Sequence, residues 1–385
     1  MGLGTLDTAS PSFMADFLKQ CGGCAVIDGG FATELERHGA NLNDPLWSAK
    51  CIVTSPQLVR RNFIVFDDQW LEFSGVGKGS KVVPPRVHLD YLDAGANIII
   101  TASYQATIQG FEAKGLSREE SEALLRKSVE IALEAKEIYR EKCIKDSMDF
   151  AENERLSRCP ILVAASIGSY GAYLADGSEY RYPKPTSGNY GDAVSLETLK
   201  EFHRRRLQIL ADAGPDLLAF ETIPNKLEAQ AYAELLEEEN IKVPAWFSFN
   251  SKDGINVVSG DPISECALVA ESYRQVVAVG INCTPPRYIH GLISSIRKVT
   301  SKPVLIYPNS GETYDPERKE WVPTTGTADE DFISYVGKWR EAGASLFGGC
   351  CRTTPNTIRA ISRALSQKSS APTATLSSKT AVTNM

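Results

Sequence analysis

The chain has 385 residues, 43% of them hydrophobic, and a formal charge of −7 at neutral pH, enough to fill one large core or two modest ones. The acidic balance argues against nucleic acid or an anionic membrane surface as partner. No apolar run approaches the about 20 residues that cross a bilayer, and the N-terminus lacks the basic and apolar regions of a signal peptide, so a cytoplasmic protein is expected. Nine cysteines without regular spacing fit a reducing compartment better than a disulfide scaffold. Cys21-Gly22-Gly23-Cys24 has a Cys-x-x-Cys spacing, but no second pair completes it and it precedes the first strand.

In chain order, the first β-branched apolar run is Ala25–Asp28, followed by Gly29-Gly30. A helix is predicted from Ser55 as N-cap and Pro56 at the first helical position, ending at Asp93-Ala94-Gly95. Strands follow at Asn97–Thr101, Ile161–Ser166, Asp216–Glu221, Ala245–Asn250, Val276–Cys283, Pro303–Asn309 and Ala344–Cys350. Helical stretches lie between them at Ser117–Lys142, Leu196–Ala213 and Leu227–Asn240. Asp212-Ala213-Gly214 and Glu341-Ala342-Gly343 repeat the ending at Gly95; a glycine there supplies the left-handed cap that turns a helix back toward the next strand. From residue 366 to 385 the sequence is rich in Ser, Thr and Ala with no apolar period, and a disordered tail is expected.

Continuous apolar strands alternating with helices mean a parallel sheet covered on both faces. Eight such units match an α/β fold of the closed (β/α)8 TIM type, a single domain over 20–365. No Gly-x-Gly-x-x-Gly follows a strand, which weakens a dinucleotide-binding alternative. In such barrels chemistry gathers at the C-terminal strand ends, which here carry Asp28, Thr101, Ser103, Glu221, Asn250, Asn282, Cys283, Asn309, Cys350 and Cys351.

Among these the cysteines carry most information. Neighbouring residues on a strand point to opposite faces, so Cys350 and Cys351 turn toward one atom only if the backbone bends, which Gly348-Gly349 would make easy. With Cys283 they read as a three-thiolate metal site with one position open, as in zinc centres that do chemistry. The alternatives are inert packing and a redox disulfide between Cys350 and Cys351. Three thiolates make the ion a weak Lewis acid, suited to holding a fourth thiol as thiolate rather than to hydrolysis. None of the four histidines stands at a strand exit, and thiolate displacement on a sulfonium methyl needs no general base.

The stretches Asp28-Gly29-Gly30-Phe31-Ala32-Thr33-Glu34-Leu35, Phe220-Glu221-Thr222-Ile223-Pro224, Gly280-Ile281-Asn282-Cys283 and Gly348-Gly349-Cys350-Cys351 together closely resemble the homocysteine S-methyltransferase family. Ser103–Thr107 and Gly171–Tyr180 look like its plant branch, which uses S-methylmethionine. The resemblance covers about residues 20 to 365. It implies one zinc ion per chain on Cys283, Cys350 and Cys351, with homocysteine sulfur as fourth ligand and methionine as product. It places the substrate ammonium at Asp28 and Glu221, its carboxylate at the backbone amides of Gly29, Gly30 and Phe31, and a hydrogen bond from Ser103. Tyr170, Tyr173 and Tyr180 could flank a sulfonium by cation–π contact or could simply pack a lid. A monomer acting on homocysteine and S-methylmethionine is expected, with S-adenosylmethionine as second donor and selenocysteine as alternative acceptor. Cobalamin chemistry would require further domains, and only one barrel-sized unit is present.

Residues 62–86 have no counterpart in that family pattern. They interrupt the helix begun at Ser55, and their removal places Val87 four positions after Leu58, restoring one apolar stripe. The insert enters the first barrel helix, away from the inferred ligands. Loss of stability, or a non-catalytic isoform, would be its expected cost.

Overall fold

The structure, a computed structural model, describes residues 8, 10, 12–42, 44, 46–54, 87–146, 160–179, 194–315, 320–322 and 329–367. Its strands are β1 (Ala25–Val26), β2 (Ile98–Ile100), β3 (Leu162–Gly168), β4 (Leu217–Ile223), β5 (Ala245–Phe249), β6 (Val276–Asn282), β7 (Val304–Tyr307), β8 (Thr313–Asp315), β9 (Glu320–Val322) and β10 (Ala344–Phe347). Eight of them form one sheet in the order β1-β10-β7-β6-β5-β4-β3-β2, every neighbouring pair parallel. The sheet closes on itself: Ile27 bridges Ile98 in parallel, and Asp28 N–H donates to Ile98 O at 3.0 Å. The eight expected strands are therefore those of a (β/α)8 barrel. β8 and β9 form a separate antiparallel hairpin that the sequence reading does not contain.

Alternation along the strands divides the core in two. Ile27, Ile98, Ala164, Ala219, Trp246, Ala278, Leu305 and Leu346 fill the barrel, whereas Ile99, Val163, Leu218, Phe247, Val279 and Phe347 face the helices. Small residues beside Trp246 leave room for its indole, which meets Tyr307 edge-on. The helices turn back as expected, with Gly95, Gly214 and Gly343 at φ 99°, 81° and 109°. Side-chain caps at Ser195 and Asn225 begin the helices Leu196–Asp212 and Lys226–Glu238. None of the described helices is long and apolar enough to cross a membrane.

Both expected boundaries move outward. A helix at Phe13–Gln20, ahead of residue 20, packs Phe13, Met14, Phe17 and Leu18 into the barrel interior, stopping the end opposite the strand exits. At the other end, helix Pro355–Gln367 continues past residue 365, so Ser366 and Gln367 belong to it; residues 368–385 lie outside the described residues. So do Ser55, Pro56 and the insert at 62–86. Described helices flank them, Lys50–Thr54 before and Val87–Asp93 after.

A candidate metal centre and its cleft

Cys283 directly follows β6, and Cys350 and Cys351 follow β10, so the two segments flank β7. The end of β7 fastens both: Cys283 N–H donates to Tyr307 O at 3.1 Å and Cys350 N–H to Pro308 O at 2.8 Å. The three sulfurs lie within 4.8 Å of one another, with Cys351 Sγ 3.5 Å from Cys283 Sγ. Cys283 is joined to Cys350 as a disulfide, with 5.5 Å between Cα atoms, and Cys351 is free; the adjacent pair, Cys350 and Cys351, is not bonded. The turn that aims the sulfurs is also not where the glycines suggested. Cys283 itself takes a left-handed φ of 45° and Arg352 one of 66°, conformations rare for residues with a Cβ. Gly348 and Gly349 are required for close approach instead: a Cβ on Gly348 would lie 2.7 Å from Ile27 Cβ, and one on Gly349 would collide with Thr353.

The donor set suits a soft divalent cation. Burial pushes the Cys351 thiol up to about 12, and the charges of Glu221, Glu36 and Glu179 push the same way. Such thiols ionise at neutral pH only beside a strong positive charge, which a bound metal supplies. A second group of ligand-type side chains, Glu34, His38 and Asp90, is already satisfied by mutual pairing and by Arg37, which donates to Glu34 at 2.7 Å.

Asp28, Gly29, Gly30, Phe31 and Glu221 share with the cysteines one cleft, open at the barrel mouth. Asp28 is 1% exposed, and its Oδ2 accepts from Ile100 N–H at 2.8 Å. Burial holds its carboxyl well above the usual range against that hydrogen bond, and the charge of Glu221 adds to the rise. Glu221 is pushed up to about 7 by burial, opposed by the hydroxyls of Ser166 and Tyr307 and by the Arg206 charge. Two buried carboxylates repelling each other across a cleft call for a cation between them, and an alkylammonium has the hydrogen-bond donors to serve both.

Ser103 is not in the cleft lining. It lies behind, fully buried, with its Oγ donating to Ser166 O at 2.8 Å and sharing a 2.7 Å hydrogen bond with Thr101. Ser166 Oγ in turn donates to Glu221, so Ser103 touches the cleft only through this chain. Gly30 N–H donates to Thr353 Oγ1 at 3.1 Å, so this amide is used within the protein and is not open to a substrate carboxylate, contrary to expectation. Tyr170 and Tyr173 both pack on Phe202, with ring centroids 4.9 and 5.1 Å away, and neither lines the cleft; Tyr180 lies outside the described residues. The strand-end asparagines divide by role. Asn282 ties β6 to β4 through Thr222, while Asn309 accepts from Gly311 in a turn. No described histidine lines the cleft: His203 pairs with Glu228 at 2.9 Å, and burial pulls His88 down to about 4.

Some supports of the site escaped the sequence reading. Arg206, 2% exposed, donates to Ser103 O and Tyr104 O at 2.8 Å and to Gly168 O at 3.1 Å, holding the ends of β2 and β3 from a helix. Within Arg204-Arg205-Arg206 it passes for part of a solvated basic run. Its spacing from Leu199, His203 and Leu210, all on the buried face, was the available signal. Tyr91, from the helix that resumes after residue 86, donates to Gly30 O at 3.1 Å. The far half of that helix therefore supports the Asp28-Gly29-Gly30 turn, closer to the site than its sequence position implied.

The family model described as homocysteine S-methyltransferase matches residues 25–365. Homocysteine S-methyltransferase 3 of Arabidopsis thaliana is 64% identical over 94% of this chain and 95% of its own length. Selenocysteine Se-methyltransferase of Brassica oleracea var. italica is 63% identical over 91% of this chain and 92% of its own length. Among solved structures, the metallated form of the homocysteine methyltransferase MmuM from Escherichia coli is 38% identical, with a TM-score of 0.70, covering 92% of this chain and 99% of that one.

Proposed function

The chain belongs to the homocysteine S-methyltransferase family, and from that premise we propose that it transfers a methyl group from S-methylmethionine to homocysteine in the cytoplasm. The observation that carries this reading is the convergence of three cysteine sulfurs within 4.8 Å on the cleft that holds Asp28 and Glu221. One zinc ion, held by Cys283, Cys350 and Cys351, would keep a substrate thiol as thiolate at its open position. Asp28 and Glu221 hold the homocysteine ammonium between them, and the Gly29–Phe31 turn offers the Gly29 and Phe31 amides to its carboxylate. The Ser103–Thr101–Ser166 hydrogen bonds fix the Glu221 carboxylate from behind. The substrate sulfur then forms a bond to the donor methyl carbon as the carbon–sulfonium bond breaks. Its electron pair stays on the donor sulfur, so acceptor and donor both leave as methionine.

Metal analysis and a donor comparison test this. Protein purified under reducing conditions is expected to carry one equivalent of zinc and to show a higher kcat/KM with S-methylmethionine than with S-adenosylmethionine or betaine. Full activity with less than about a tenth of an equivalent would end the metal reading. Preference for another donor would end the donor assignment. Selenocysteine is a second acceptor favoured by the 63% identity to a selenocysteine Se-methyltransferase; parallel turnover of the two acceptors with one donor decides between them.

A further inference from the structure

The described part of the loop that leaves β3 passes over the end of β4 and is pinned to the segment after β5. It begins with the short helix Tyr170–Leu174, capped by Ser169. Tyr170 N–H donates to Glu228 Oε1 at 2.6 Å, and Ala175 turns the chain with a left-handed φ of 53°. The returning segment lies directly on Gly171, where a Cβ would stand 2.9 Å from Ser178 Oγ and 3.0 Å from Glu179 N. Glu179 O accepts a hydrogen bond from Asn250 Nδ2, just after β5. The loop therefore spans the end of β4, the strand that carries Glu221.

Two acceptors in this bridge have no partner among the described residues: Glu179 Oε2 and Asn250 Oδ1. Both residues are deeply buried, at 5% and 2% exposure. The hydrogen bond from Asn250 Nδ2 to Glu179 O fixes the amide orientation, so its orphan atom is an acceptor. Orphaned buried acceptors, one of them a carboxylate oxygen, are costly unless a ligand satisfies them. A ligand with N–H donors and a positive charge would satisfy both acceptors at once. Neither residue lines the cleft described above; the loop sets them beside it, over the end of the strand that carries Glu221.

We propose that Glu179 and Asn250 form a second ammonium subsite, which takes the α-ammonium of the sulfonium donor. This rests on the methyl-transfer reading above and adds to it the part of the donor that is recognised. Asp28 and Glu221 serve the acceptor's ammonium from β1 and β4, leaving the donor's ammonium, a short methylene chain away from its sulfonium, as the cation still to be placed. A carboxylate here also attracts the sulfonium itself. Burial, reinforced by Asp176 and Glu228, pushes the Glu179 carboxyl up to about 7, as fits a group whose counter-charge arrives with its ligand.

The test compares S-methylmethionine with its desamino analogue, the same dimethylsulfonium carboxylate bearing hydrogen in place of the amino group. Homocysteine is the acceptor and the zinc-loaded enzyme the catalyst. Wild-type kcat/KM should favour S-methylmethionine by about 10- to 100-fold, the range of one or two charge-assisted hydrogen bonds. Glu179→Gln should erase most of that preference by raising the KM for S-methylmethionine, with zinc content and the KM for homocysteine unchanged. Equal use of the two donors by the wild type overturns the subsite without any mutant. So does a Glu179→Gln protein that retains both the preference and normal zinc content. No turnover of any sulfonium donor by the zinc-loaded wild type would instead remove the parent reading, and this one with it.

Discussion

At the residue scale the decisive feature is the environment around ordinary carboxylates. Glu221 titrates near 7 because it is buried, with the Ser166 and Tyr307 hydroxyls only partly offsetting that. In its proposed role it must be ionised to hold an ammonium, so kcat/KM for homocysteine should fall about tenfold per pH unit below 7 and level off above it. Glu221→Gln should have a lower plateau and lose that limb, as read from a pH–rate profile. Stability responds with the opposite sign. A carboxyl raised in the folded state contributes stability that is fully present below its unfolded value of 4.5 and is lost as pH rises through about 7. Thermal melts of the substrate-free protein at pH 5 and 8 should therefore differ less for Glu221→Gln than for the wild type. Cys283→Ala removes one of three donors and should abolish transfer and metal binding while circular dichroism stays native. Loss of activity with metal retained would contradict the assigned ligand set.

Among the elements, the helix Phe13–Gln20 and the helix Val87–Asp93 do work that the sequence did not announce. The first buries Phe17 completely inside the barrel, and Phe17→Ala should cost about 3–5 kcal/mol of stability, read from denaturant midpoints, with KM values unchanged. The second carries Tyr91, whose hydroxyl reaches Gly30 O and Thr353 O. Tyr91→Phe should cost about 1 kcal/mol and raise the KM for homocysteine more than that for the donor. Removing residues 62–86 would place Val87 four positions after Leu58 and so restore the apolar stripe of the helix expected from Ser55. If the insert loosens that helix, the deletion raises both stability and affinity for homocysteine; equal behaviour with and without it would show the insert to be neutral. The eight strands were legible because buried parallel strands are unbroken apolar runs. Phe13–Gln20 was not, since one turn of apolar residues before a Cys-Gly-Gly-Cys reads as a leader to the first strand. The cysteine and carboxylate positions were legible at strand exits, but Arg206 was hidden in a triplet of arginines. Ser103 could be placed near the cleft from sequence, whereas its position behind Glu221 depends on the register between β2 and β3.

For the whole molecule, the Cys283–Cys350 disulfide and the proposed metal would compete for the same sulfurs. A Cys283–Cys350 bond withdraws two of the three donors, so oxidised protein should hold no zinc and be inactive, and a thiol reductant with added zinc should restore both. Inductively coupled plasma analysis before and after reduction reads the metal directly; full metal occupancy in the oxidised protein would refute the competition.

The fastening of both cysteine segments to the end of β7 has a consequence for how the protein comes into being. Cys283 leaves the ribosome well before Cys350 and Cys351, and β10, which brings them in, must slot between β1 and β7, joining the first strand made to one of the last. The proposed metal could be caged only when the ring is shut, so its uptake would mark closure of the barrel. A nascent chain halted before residue 350 should display a folded-looking partial sheet yet capture no zinc, and release experiments on stalled chains would show metal binding arriving together with closure of the barrel.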